Sequence, residues 1–135
     1  MQAPDKEIVI ADNAPEPIGP YSVGVRVGHL VFTAGQIGLI PGKGELTPGG
    51  VAAETRQALQ NLENVLKSAG SSMDLVTKTT VFLRDMADFS EMNAIYAEFF
   101  PKDPPARSTV EAGGLPKNAA VEIEVIAVVS QVRGD

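Results

Sequence analysis

Apolar and polar residues along the chain fall into short periodic blocks. The longest helical block spans residues 51–69. There Ala58, Leu59, Leu62, Val65, Leu66 and Ala69 recur at i, i+1, i+4, i+7, i+8 and i+11, the spacing of one helix face. Gly70 follows, and glycine takes the left-handed conformation that often closes a helix. A second helical block carries Phe89, Met92, Tyr96, Phe99 and Phe100. Asp85 or Asp88 can cap its start, and Pro101, Pro104 and Pro105 end it.

The remaining apolar blocks have strand character. Residues 6–10 form a first short strand. Residues 22–27 alternate, with Val23, Val25 and Val27 on one face, and Gly28-His29 turns the chain into residues 30–34, so the pair predicts a hairpin. Residues 76–83 are rich in Val and Thr, a strand composition. Residues 108–111 predict a short strand and residues 121–129 a strong one. In the last, Val121, Ile123, Val125, Ala127 and Val129 share one face, while Glu122 and Glu124 share the other with Ile126 and Val128. Gly- and Pro-rich loops cover residues 13–20, 41–50 and 113–116. Val31-Phe32-Thr33 and Thr80-Val81-Phe82-Leu83 are similar strings on either side of the first helix. A repeated helix–strand unit and chance both account for that echo.

The element order is strand, hairpin, helix, strand, helix, strand, strand. In so short a chain the economical packing is α+β, one mixed sheet with both helices on one face. The strands carry Val, Ile and Phe on both faces. A second apolar sheet face predicts an oligomer.

Length and composition narrow the chemistry. At 135 residues, one domain over 1–135 is expected. There are 11 Lys and Arg against 17 Asp and Glu, a net charge of −6. Phosphate binding draws on clustered positive charge, so no nucleic acid partner is expected. The chain has no Cys and a single His, His29. That excludes disulfides, thiol chemistry and a Zn site built from several His or Cys, and no metal is expected. The longest uninterrupted apolar run is residues 125–129, far short of the roughly 20 residues of a membrane helix. The N-terminal stretch has no basic region followed by an apolar one. A soluble, cytoplasmic protein is expected.

Three groups of residues can carry chemistry. Arg107 follows Pro104-Pro105-Ala106, and a rigidly presented guanidinium can grip a carboxylate through two parallel hydrogen bonds. A solvated surface Arg is the plainer alternative. Glu122 and Glu124 lie among apolar neighbours, which raises carboxyl pKa values and suits a group that orders or deprotonates water; a polar sheet face paired to cations is the alternative. Tyr21 follows Ile18-Gly19-Pro20 and can close over a ligand or simply pack with a wet hydroxyl. His29 at a hairpin turn reads as solvated. Residues 34–38, Ala-Gly-Gln-Ile-Gly, lack the phosphate-loop pattern, but glycine there lets backbone approach a small ligand.

Taken in order, these pieces resemble the reactive intermediate deaminase (RidA) family, also called YjgF or translation-inhibitor L-PSP. The matching stretches begin with Ala14-Pro15, Ile18-Gly19-Pro20-Tyr21-Ser22 and Ala34-Gly35-Gln36-Ile37. They continue with Thr55-Arg56-Gln57-Ala58-Leu59, Asn61-Leu62, Lys78-Thr79-Thr80-Val81-Phe82-Leu83 and Asp85-Met86-Ala87-Asp88-Phe89. Asn93, Tyr96, Phe99-Phe100, Pro105-Ala106-Arg107-Ser108, Leu115-Pro116-Lys117 and Val121-Glu122-Ile123-Glu124 complete the set, which runs from about residue 6 to 129.

The resemblance implies a chorismate-mutase-like α+β fold and a homotrimer with clefts between subunits. It implies hydrolysis of enamines and imines such as 2-aminoacrylate and 2-iminopropanoate to 2-keto acids and ammonia, with no cofactor or metal. By the same resemblance Arg107 clamps the substrate carboxylate and Glu122 handles the attacking water. Tyr21 and Asn93 line the cleft, Gly35 approaches the ligand with its backbone, and Thr109 contacts the substrate. Ala34 stands where many members have Ser, and Thr109 where many have Cys; backbone contacts at both can persist. The competing reading is a small-carboxylate-binding or regulatory module that does not turn its ligand over. RNA-acting or chaperone roles and a chorismate mutase are further readings; the −6 charge opposes the first, and the third needs more than one basic group.

Overall fold

The computed structural model describes residues 5–130; the ends of the expected domain, residues 1–4 and 131–135, lie outside the described residues. The strands are β1 Lys6–Val9, β2 Gly24–Val27, β3 Leu30–Thr33, β4 Val76–Leu83, β5 Ala106–Glu111 and β6 Val121–Val128. They form one sheet in the order β1-β2-β3-β6-β4-β5. Only β4 and β5 run parallel among these pairs. A parallel pair needs a crossover, and helix α2, Phe89–Phe99, supplies it. Helix α1, Gly50–Ser68, links β3 to β4.

Alternation along the strands divides the sheet as the final strand predicted. Val121, Ile123, Val125 and Ala127 are buried with Val31 and Val81 against Leu59, Leu62, Val65 and Leu66 of α1 and Met92 and Tyr96 of α2. Both helices cover this face. The other face carries Glu122, Glu124, Ile126 and Val128 of β6, opposite Phe82, Thr80, Lys78, Phe32 and Leu30. Ile8, Leu30, Phe32 and Val110 are exposed there, so the apolar second face exists.

Three details differ from the sequence pattern. First, β5 begins at Ala106 rather than residue 108, because pairing with β4 already starts at Lys78 and Ala106. Arg107 therefore sits inside a strand, not before it. Second, the side chain of Asp85 accepts a hydrogen bond from the Ala87 amide at 2.9 Å and caps a 3₁₀ turn, Met86–Asp88, that leads into α2; Asp88 makes no side-chain cap. Third, β2 turns Gly24 and Arg26 toward α1, while Val25 and Val27 pair with Phe32 and Leu30. A Cβ at Gly24 would stand 3.3 Å from Val65 Cγ1. Buried Arg26 donates from Nη1 to the Ala69 carbonyl at 3.0 Å, a cation on the negative end of α1. Gly70 takes φ +82° just beyond, as expected. Among the described residues no helix is long and apolar enough to cross a membrane.

Candidate active site

The predicted site residues gather in two clusters. Tyr21, Gly35 and Glu122 line one small cavity with Ile18, Ile37 and Pro116. Its volume, about 30 Å³, accommodates a water.

The glycine-bearing loop, residues 34–39, is pinned from two sides. Gln36 and Ile123 exchange backbone hydrogen bonds of 2.8 and 3.0 Å, which fastens the loop to β6. Asn61 on α1 donates from Nδ2 to the carbonyls of Leu39 at 2.9 Å and Ile37 at 3.3 Å. Glu54, two turns earlier on the same face of α1, accepts from the Ala120 amide at 2.9 Å where β6 begins. Sequence reasoning did not assign Glu54 and Asn61 these jobs. The available signal was two polar residues seven apart on the buried stripe of α1.

With the loop so placed, Gly35 lies directly beneath the Glu122 side chain. A Cβ at Gly35 would stand 2.6 Å from Glu122 Oε2 and 2.7 Å from Cδ. Burial raises the Glu122 carboxyl pKa from its ordinary value, and the nearby Glu124 charge adds to the rise. Tyr21 is exposed; its hydroxyl accepts from the Ile18 amide at 3.2 Å and its own amide donates to the Gly19 carbonyl at 2.9 Å. The ring thus stands at the cavity rim, held by its own turn.

Replacing Gly35 by Ala tests this contact. The atoms in the way belong to the far end of a flexible side chain, so Glu122 swings aside and the fold persists. We expect a melting temperature within a few degrees of wild type but a carboxylate displaced from its seat. Any turnover that uses this carboxyl should drop about a hundredfold, the scale of an angstrom-sized misplacement; wild-type turnover in a folded Gly35→Ala protein would show the seat to be unimportant.

The second cluster is built on β5 and α2. Arg107 points to the helix-covered side, where its Nη1 donates to Asn93 Oδ1 at 2.7 Å. Its guanidinium carbon lies 4.7 Å from the Tyr96 ring centroid and 5.5 Å from that of Phe89. Tyr96 shares a 2.8 Å hydrogen bond with Thr79 Oγ1. Burial raises the Tyr96 pKa, outweighing the Thr79 hydrogen bond and the Arg107 charge, which lower it. Thr109 lies two residues beyond Arg107 on the same side of β5; its hydroxyl is buried with no hydrogen-bond partner among the described residues. Phe89 and Tyr96 read in the sequence as core positions of a helix, and the contact with Arg107 was not legible there.

Strand register keeps the clusters apart. Arg107 pairs with Thr79 on β4, whereas Glu122 of β6 pairs with Phe82. Three residues along and two strands across separate them by roughly 10 Å in each direction, and they leave opposite sheet faces. One chain by itself does not close both groups on a small molecule. His29 is exposed at the β2–β3 turn.

Comparison with known proteins agrees with this architecture. The family model described as Endoribonuclease L-PSP matches residues 11–129. A RutC family protein of Pyrococcus horikoshii is 48% identical over 122 residues, 90% of this chain and 97% of that protein. The mouse protein named 2-iminobutanoate/2-iminopropanoate deaminase is 46% identical over 123 residues, 91% of each chain. The crystal structure of Escherichia coli TdcF with bound serine superposes with a TM-score of 0.87 at 41% identity, covering 92% of this chain and 99% of that one. The chain belongs to the L-PSP family of RidA/YjgF proteins.

Proposed function

We propose that the protein is a 2-iminobutanoate/2-iminopropanoate-type deaminase, hydrolysing small enamine and imine acids to 2-keto acids and ammonia in the cytoplasm. The observation that carries this reading is the division of chemistry between two half-sites. One presents a carboxyl whose charge burial disfavours, seated on glycine at a water-sized cavity. The other presents a guanidinium braced by Asn93 and two aromatic rings. The deaminase name of the mouse relative and the serine in the TdcF structure support a ligand shaped like a small amino acid.

The half-sites meet between neighbouring copies. The exposed apolar face around Leu30, Phe32 and Val110 supplies the contact surface, and a homotrimer brings Arg107 of one subunit to Glu122 of the next. Arg107 binds the substrate carboxylate through the remaining edge of its fork. Tyr21, Asn93, the Gly35 backbone and Thr109 line the enclosed ligand. Glu122 takes a proton from water as the oxygen bonds to the imine carbon, and the C=N electron pair goes to nitrogen, which takes up a proton from solvent. Glu122 then returns its proton to the carbinolamine nitrogen; the C–N bond breaks, ammonia leaves with that bond's electron pair, and the hydroxyl gives its proton to solvent as the C=O of the keto acid forms. An enamine enters the same path after tautomerising to its imine.

Complementation tests both parts at once. Arg107→Ala and Glu122→Gln are each expected to be inactive toward 2-iminopropanoate generated in situ by an amino-acid oxidase. Co-assembled one to one from unfolded chains, random mixing puts an intact Arg107 against an intact Glu122 at about a quarter of trimer interfaces. Recovery of that fraction of wild-type activity is the expected result. No recovery in mixed trimers would place both residues within one subunit's site. Binding without consumption by the wild type would instead identify a carboxylate-binding module.

A further inference from the structure

We infer that Tyr96 is a positioning residue for Arg107, and that Thr79 sets the orientation of Tyr96. This rests on the proposed role of Arg107 as the carboxylate clamp.

An arginine on a strand has several rotatable bonds, and a clamp works only if the guanidinium plane is fixed before the ligand arrives. Asn93 holds one N–H at 2.7 Å, which by itself leaves the plane free to turn about that bond. The Tyr96 ring, 4.7 Å from the guanidinium carbon, removes that freedom by cation–π contact. Phe89 stands farther off at 5.5 Å. Tyr96 is itself immobile. It is 6% exposed, it packs on Phe100 with ring centroids 4.7 Å apart, and its hydroxyl is tied to Thr79 at 2.8 Å.

The register makes this a single device. Thr79 of β4 is the direct partner of Arg107 in the parallel β4–β5 pair. Both side chains therefore leave the same sheet face side by side, and Tyr96 bridges them from α2. Thr79 is fully buried, so a hydroxyl there is costly without a partner, and Tyr96 is the partner. A Tyr serves both contacts at once: its ring meets the guanidinium and its hydroxyl meets Thr79. Phe would keep the first only, and an aliphatic residue neither.

The test measures Arg107 directly as well as turnover. In wild type the Arg107 Nε–Hε group should be rigid on the nanosecond timescale by ¹⁵N relaxation. In Tyr96→Leu it should become mobile, with KM for 2-iminopropanoate raised about tenfold and kcat within twofold. Tyr96→Phe and Thr79→Val should each raise KM two- to threefold. A folded Tyr96→Leu with a rigid Arg107 and wild-type KM overturns the inference. If Tyr96→Leu does not fold, unchanged KM and unchanged Arg107 relaxation in both milder variants overturn it. A rigid wild-type Arg107 that is mobilised in Tyr96→Leu, in a protein inactive toward imines, supports the positioning role and sinks the deaminase reading.

Discussion

Replacing Arg107 with Ala is expected to lower kcat/KM for 2-iminopropanoate on the order of a thousandfold, the effect of losing a charge-assisted pair in an enclosed site. The loss should fall mainly on KM if the clamp binds substrate and transition state alike, and on kcat if it holds the imine carbon in line for water. The fold should survive. Arg107 is only partly buried on the edge strand β5, and its removal leaves Asn93, Phe89 and Tyr96, none of them an uncompensated buried charge. Arg107→Lys separates charge from shape. A lysine keeps the charge but cannot form the two-point fork or lie flat on a ring, so a ten- to hundredfold loss is expected. Full activity in Arg107→Lys would show that any cation suffices. The measurement is the decay of imine made in situ from alanine, compared across the three proteins at matched oligomeric state.

Replacing Glu122 with Gln is expected to lower kcat about a hundred- to ten-thousandfold, the range for loss of a general base. In wild type the rate should fall on the acid side as Glu122 takes up a proton. Because burial and Glu124 raise its pKa, that limb should lie at higher pH than an ordinary glutamate would give. Glu124→Gln removes one like charge and should move the limb to lower pH. An acid limb that persists unchanged in the residual activity of Glu122→Gln would show that Glu122 is not the titrating group.

The same shift has a stability consequence with a definite sign. A carboxyl whose folded pKa is raised binds protons more tightly in the folded than in the unfolded state. Its ionisation at neutral pH therefore opposes folding, and Glu122→Gln should raise the melting temperature at pH 7. Below the unfolded-state pKa both states are protonated, and the gain should vanish there. A destabilised Glu122→Gln at pH 7 would mean that the carboxylate makes stabilising contacts in the assembled protein. The expected pattern, less activity with more stability, is that of a charge held where chemistry needs it.

The half-buried final strand shows how far the one-dimensional pattern reaches. Alternation of Val121, Ile123, Val125 and Ala127 with Glu122, Glu124, Ile126 and Val128 decides which residues enter the core and which face outward. It does so because a strand has period two and burial of a charge without a partner is costly. The stripe of α1 and the glycine after it are local in the same sense. So is the apolar second face of the sheet, which follows from counting Val, Ile and Phe on both sides. The motif order carried the family.

What the pattern could not decide is who stands beside whom across the sheet. That Gly35 lies beneath Glu122, that Glu54 and Asn61 of α1 hold the loop and the start of β6, and that Tyr96 meets Arg107 all depend on strand order and register. Such pairings join residues far apart in sequence and leave only a polar residue on an apolar stripe, or a glycine in a loop, as a trace. Arg107 lies within a strand because β4 is there to pair with it, and tertiary pairing outweighs the local proline signal before it. The separation of Arg107 and Glu122 onto opposite faces is likewise a product of register, since each chain position knows its own face but not its distance from another strand's residue.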